Sequence, residues 1–83
     1  MYYVYILQSK KDKGLYIGVT VDLKKRIKEH NKGESFATKG RKPFQLIHYQ
    51  AFISKNDAIN TEQYFKTTRG RQRINRMLKE TLQ

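Results

Sequence analysis

Two short apolar runs near the start of this chain constrain its fold more than any other feature. They are Tyr2-Tyr3-Val4-Tyr5-Ile6-Leu7 and Leu15-Tyr16-Ile17-Gly18-Val19. A polar stretch from Gln8 to Gly14 separates them. β-Branched and aromatic side chains pack well on a pleated surface, and a Lys/Asp/Gly cluster allows the chain to reverse. The expected element is an antiparallel β-hairpin. Side chains alternate across a strand, so Tyr3, Tyr5 and Leu7 share one face, and Tyr16, Gly18 and Thr20 share a face of the second strand. A loop of this length brings Tyr5 near Tyr16 or Gly18. Two phenols then converge beside a glycine that leaves room for a ligand. An ordinary sheet made of good β-formers explains the same residues, so the rest of the chain must decide.

With 83 residues the chain can build one core, and residues 1–83 are expected to form a single domain. Eighteen Lys and Arg stand against seven Asp and Glu, a formal net charge of +11. That much charge on so short a chain repels itself and points to a polyanionic partner. Nucleic acid is the first candidate. An anionic membrane is the second, but there is no amphipathic basic terminus and no long apolar run. The N-terminal apolar run lacks a basic segment before it and does not read as a signal peptide. No cysteine is present, which excludes disulfides and cysteine-based zinc sites and fits a cytoplasmic protein.

A helix is expected next, capped by Thr20 or Asp22 and ended by Asn31-Lys32-Gly33. At helical spacing Leu23 and Ile27 form its apolar stripe, and Lys24, Lys25, Lys28 and Glu29 point away. Arg26 and His30 fall beside Leu23 on the inward side, four residues apart and therefore neighbours. A charged Arg at the edge of a buried stripe requires a protein carboxylate or a bound anion, unless it snorkels to solvent.

The loop from Gly33 to Pro43 carries Lys39, Arg41 and Lys42 around Gly40, a pattern suited to a phosphate backbone and equally to a solvated surface. A third strand follows, Phe44 to Phe52. Strict alternation puts Phe44, Leu46 and Phe52 on one face and Ile47, Tyr49 and Ala51 on the other, as in a strand covered on both sides. His48 reads as structural. Ser54 and Asp57 open a further helix in the manner of a capping box. Its stripe is Ala58, Ile59 and Phe65, with Glu62 at the centre. An inward carboxylate needs a cation or a donor. Arg26, a metal ion, or a surface pair with Lys66 at i+4 would each supply one. Gly70 is expected to end this segment. A last helix runs from Arg71 to Leu82, with Ile74, Met77, Leu78 and Leu82 inward and Arg71, Arg73, Arg76 and Lys79 on the other face.

Val4-Tyr5-Ile6, Tyr16-Ile17-Gly18, Arg26, His30 and Glu62 together resemble the GIY-YIG nuclease domain, in the form of its small stand-alone bacterial members. Lys39-Gly40-Arg41-Lys42-Pro43 and the stretch from Asp57 through Lys66 are similar to theirs as well. The likeness runs from Tyr2 to about Arg73, and its specificity comes from three separated motifs in order. The first motif reads Val-Tyr-Ile here instead of Gly-Ile-Tyr, and Val19 stands where some members carry a lysine.

The resemblance implies an α+β fold, a three-stranded antiparallel β-sheet flanked by helices, and metal-dependent endonuclease chemistry on DNA or RNA. On that reading Glu62 holds Mg²⁺ (or Mn²⁺), Arg26 binds the phosphate, and Tyr5 or Tyr16 positions or deprotonates the attacking water. His30 orients water or phosphate. Lys39, Arg41, Lys42, Lys66, Arg71 and Arg73 carry the nucleic-acid backbone. A non-catalytic nucleic-acid-binding module on the same fold is the alternative.

Overall fold

The computed structural model describes residues 1–83. Its elements are β1 (Tyr2–Ser9), β2 (Leu15–Thr20), α1 (Leu23–Lys32), a 3-10 turn (Lys39–Arg41), β3 (Phe44–Phe52), α2 (Lys55–Phe65) and α3 (Thr68–Met77). The three strands form one antiparallel sheet in the order β2-β1-β3. The α+β architecture expected from the sequence is present. No helix is long and apolar enough to cross a membrane.

β1 is the central strand, and its alternation organises both layers. Val4 and Ile6 join Ile17, Ala58, Phe65, Ile74 and Leu78 in a core roofed by α2 and α3. Tyr5 and Leu7 pack on the opposite face with Phe44, against Tyr16, Leu23 and Ile27 under α1. Burial on both faces therefore belongs to β1, while β3 is an edge strand on which Tyr49 is about half exposed.

The strict alternation expected for β3 fails at a bulge. Ile6 faces His48, but Leu7 faces Leu46, so Ile47 is an extra residue in the ladder. One inserted residue reverses the pleat beyond it. Phe44 and Leu46 consequently pack with Tyr5 and Leu7, while Ile47 and Phe52 pack on the core of the other face.

The helix starts follow their capping chemistry. Asp22 accepts from the Lys25 backbone N–H at 3.1 Å and starts α1, and Gly33 ends it in the left-handed region at φ 78°. The Ser54 hydroxyl accepts from the Asp57 N–H at 3.2 Å and starts α2.

Gly70 departs from expectation. α2 ends at Phe65, Thr67 caps α3, and Gly70 lies buried inside α3 with its N–H donated to the Thr67 hydroxyl at 3.0 Å. It is a packing residue and not a helix stop. A Cβ at this position would lie 1.8 Å from the Tyr64 carbonyl oxygen and 2.7 Å from the Phe65 Cα. Both are backbone atoms and cannot rotate away. α3 ends at Met77, short of the expected Leu82.

Gly70→Ala should therefore force α2 and α3 apart and destabilise the fold by about 2–3 kcal/mol, the scale of overpacking. A urea titration should show a lower midpoint with an unchanged slope. A midpoint equal to that of the parent would mean that the helices do not meet at this point.

Candidate active site

Tyr5 pairs with Gly18 across the hairpin. The sequence suggested that the glycine leaves room for a ligand. The Tyr5 phenol takes that room instead, because a Cβ on Gly18 would lie 2.4 Å from its oxygen. Tyr5 is 1% exposed and its ring is 6.3 Å from that of Tyr16. His30, from the last turn of α1, packs its imidazole against both rings. The ring centroids are 5.8 Å from Tyr5 and 4.9 Å from Tyr16.

His30 is fully buried and bonded at both nitrogens. Its Nε2 lies 2.9 Å from the Tyr5 hydroxyl, and its Nδ1 lies 2.6 Å from the Thr38 hydroxyl. Thr38 is also fully buried, although it comes from the basic loop. The loop is pinned elsewhere too. Asn31 bonds both backbone groups of Phe44, and the Ser9 hydroxyl donates to the Arg41 carbonyl.

Arg26 lies inward, as helix geometry implied, but its carboxylate partner is Glu29 and not Glu62. Nη1 donates to Glu29 Oε1 at 3.0 Å, and Nη2 reaches the Ser35 hydroxyl at 3.5 Å. Glu29, expected on the outward face, sits three residues on and bends back to the guanidinium. About a third of each side chain is exposed, so an incoming anion can reach Arg26. Glu29 beside it raises the Arg26 pKa, and the two tyrosines add to that effect.

Glu62 takes the surface partner. Its carboxylate pairs with Lys66 Nζ at 3.1 Å, one helical turn on, with the Glu62 side chain about a fifth exposed and Lys66 more than half. The Glu62 charge nonetheless reaches Tyr5, where it helps to hold the phenol protonated. Burial is the main cause of the raised Tyr5 pKa, opposed by Arg26. A phenol shifted upward from an ordinary value near 10 keeps its proton at neutral pH.

An open groove of about 550 Å³ runs along the free edge of β2, between Tyr16 and the α2–α3 junction. Leu15, Ile17 and Phe65 floor it, and Lys66, Thr67 and Arg71 stand on its rim. Arg41 lies at the Leu15 end, with Nη2 3.4 Å from the Leu15 carbonyl, held by Asp12 at 2.8 Å. Lys39 and Lys42 are exposed on the loop, and Arg73 is exposed on α3.

Tyr5, Tyr16, Arg26 and His30 thus converge, with Lys66 and Arg71 on the adjoining groove. Glu29, Ser35 and Thr38 are the neighbours that sequence reasoning missed. An i,i+3 spacing to Arg26 marks Glu29. Nothing periodic marks the two hydroxyls, because they lie in a loop.

His30 and His48 both titrate below the ordinary imidazole value of 6.5, mainly because burial disfavours their charged forms. At His30 the Arg26 charge adds to this. The unfolded chain therefore binds these protons first, and stability should decline as pH falls below about 6.5 towards the folded values. Asp12 behaves as a lowered carboxylate, pulled to about 2 by Arg41, so its contribution is full above 3.8 and lost as pH falls through about 2. Thermal melts across this range should show two declines, the lower one absent in Asp12→Asn. A melting temperature that stays constant from about pH 7 to 5 would contradict buried, neutral imidazoles.

The sequence matches the family model described as the GIY-YIG catalytic domain over residues 1–75. A UPF0213 protein of Clostridium perfringens is 43% identical over 75 residues, covering 89% of this chain and 80% of its own. A UPF0213 protein of Haloquadratum walsbyi is 40% identical over 67 residues, covering 80% of this chain and 74% of its own. The solution NMR structure of the UPF0213 protein BH0048 from Bacillus halodurans is 38% identical, with a TM-score of 0.58 over 93% of this chain and 85% of its own. Taken with Tyr5 over Gly18, Tyr16 beside it and the inward Arg26 and His30, these matches establish that the chain belongs to the GIY-YIG domain family.

Proposed function

We propose that this protein is a metal-dependent endonuclease that hydrolyses phosphodiester bonds, with DNA as the first substrate class. The observation that carries this reading is the meeting of Tyr5, Tyr16, His30 and a solvent-reachable Arg26 beside a groove edged by Lys66 and Arg71. Domains of this family generally act on nucleic acid, and a chain of +11 net charge suits such a partner.

No group of three or more His, Asp or Glu side chains converges to cage a metal. Magnesium needs no such cage, because it keeps several waters and is held by one or two carboxylates together with substrate phosphates. Glu62 fits that demand. Its exposed lysine partner is a weak competitor, since i,i+4 pairs contribute only about 0.3–0.5 kcal/mol. Bound there with substrate, Mg²⁺ or Mn²⁺ supplies Lewis-acid stabilisation of the phosphate and the leaving oxygen.

The chain's own residues supply the rest. Arg26 leaves Glu29 for the scissile phosphate and spreads the charge that grows in the transition state. Tyr5, buried and protonated, donates a hydrogen bond and does not remove a proton. The half-buried Tyr16 is left to position the attacking water, whose proton passes to solvent. His30 holds both rings in place. Lys66, Arg71 and Arg73 on one side, and Lys39, Arg41 and Lys42 on the other, carry the flanking phosphates.

The second reading is a non-catalytic binding module. It is favoured by one fact: Arg26, Glu62 and Arg41 are all already ion-paired. Incubation with a panel of DNA and RNA forms, with and without Mg²⁺, separates the two.

Arg26→Ala should lower cleavage by about 10²–10³-fold, the scale of losing one preorganised charge donor. Arg26→Lys should also be poor, since lysine cannot make the two-pronged contact. Glu62→Gln should lose Mg²⁺-dependent cleavage yet bind nucleic acid at least as well, with a melt shifted by less than about 0.5 kcal/mol. Cleavage at the parent rate by either alanine or glutamine variant overturns the assignment.

Affinity for duplex DNA should fall steeply with salt, with a log–log slope near −5 if about six phosphates are engaged. A flat response would exclude a backbone-binding surface.

A further inference from the structure

α3 gathers most of the arginine in this chain. Four of the six arginines, Arg69, Arg71, Arg73 and Arg76, stand on it, and it carries no acidic residue. Arg26 and Arg41 each have a carboxylate partner, whereas none of these four does. All four are exposed. A guanidinium fork matches the geometry of a phosphate or of a base edge, which a lysine does not. Unpaired arginines at this density complement a polyanion.

Their placement around the helix narrows the choice. An α-helix turns about 100° per residue. Gly70, Ile74 and Leu78 make the flank that packs on α2 and the core. Arg71 and Arg73 lie about 160° apart, one on either side of that packed flank. The body of the protein closes the way between them on one side, and the helix stands between them on the other. One phosphate strand therefore cannot run along both. The solvent-facing arc from Arg71 to Arg73 carries Gln72, Asn75 and Arg76, all exposed. A helix with its side chains is about 10–12 Å across, and the major groove of B-form DNA is about 12 Å wide, with a phosphate strand along each rim. α3 has the matching cross-section. A cation stands at each edge, and between them stand a guanidinium and amides, the groups that pair two-pronged with guanine and adenine edges.

We infer that α3 enters the major groove of duplex DNA, with Arg71 and Arg73 on the two bordering strands and Gln72 and Arg76 as specificity-determining residues that face the base edges. Arg69, one turn from Arg73, adds a second cation on that side. Arg71 also stands on the rim of the groove beside Tyr16, with Lys66 between them in the chain's path. The strand that Arg71 holds is then the one led towards Tyr16. This deepens the proposed function and rests on it for a nucleic-acid partner, and it goes further in selecting a DNA duplex over an RNA duplex. The major groove of A-form RNA is deep, narrow and closed to such a helix.

The test uses the full chain without metal, so that binding is read apart from cleavage. A DNA duplex should bind at least about tenfold more tightly than an RNA duplex of the same sequence at equal salt. Selection from a randomised DNA duplex library should enrich a short motif. Gln72→Ala and Arg76→Ala should each relax the motif at a different position, with a loss of discrimination of roughly 5–150-fold there. Neither should change the preference elsewhere in the motif. Gln72→Ala should also keep the parent salt dependence, because an amide neutralises no phosphate. Arg71→Gln and Arg73→Gln should instead weaken binding to every sequence alike, each lowering the log–log salt slope by about 0.9. Equal affinity for the two duplexes overturns the inference. So does a library that yields no motif, or a motif that both alanine variants retain. A protein that selects the motif and cuts nothing with Mg²⁺ supports the inference and counts against the nuclease reading. One that cuts DNA without selecting a motif does the reverse.

Discussion

The burial of one phenol ties this small protein together. Tyr5 sits on the central strand, lies in the space that Gly18 leaves on β2, and bonds His30 from α1, which in turn bonds Thr38 from the loop. A buried hydroxyl is tolerated only when it is bonded, so each of these elements must be in place before the phenol is stable there. Forming the layer under α1 and assembling the candidate site are therefore the same event. The opposite layer has no such requirement. Its core of Val4, Ile6, Ile17, Ala58, Phe65, Ile74 and Leu78 contains no polar group and needs only volume and close helix contact, which Gly70 permits.

Features governed by local rules were legible in the sequence. The hairpin, the caps at Asp22 and Ser54, and the inward placement of Arg26 and His30 follow from alternation, helical spacing and side-chain chemistry. The features that depend on a second element were not legible. The bulge at Ile47 is visible only when β3 is laid against β1. Gly70 reads as a stop until α2 is placed against it. Thr38 looks like any loop threonine until the imidazole arrives from another part of the chain. Glu62 shows a different limit. Helical spacing gives a direction and not a partner, and a long carboxylate on a half-buried face can still turn to a lysine on its own helix.

Charge is distributed in two ways across the site. The row of Thr38, His30 and Tyr5 is buried and uncharged, because burial lowers the imidazole and raises the phenol. The ions stand around it in three pairs, Arg26–Glu29, Arg41–Asp12 and Lys66–Glu62, and each pair keeps at least one partly exposed member. Neutral buried groups keep their geometry without reference to salt or to ligand. Exposed pairs are screened, contribute little, and exchange partners at small cost.

That difference bears on how a polyanion could enter a site whose cations are already occupied. If Arg26–Glu29 were a buried pair, removing one partner would cost about 3–5 kcal/mol and the pair would exclude a phosphate. With a third of each side chain in water, both ions remain partly solvated, and the pair is worth about 0–1 kcal/mol. A phosphate offers Arg26 a bidentate, charge-assisted contact that is stronger than the single bond to Glu29 Oε1. Exchange to such an anion would therefore cost the guanidinium little, and it would free Glu29 to turn to solvent at the edge of the site. The free protein is thus protected from leaving an inward cation unpaired, without being locked against the anion that the cation suits. The fixed interior sets where the phenols point, and the exchangeable rim sets what may approach them.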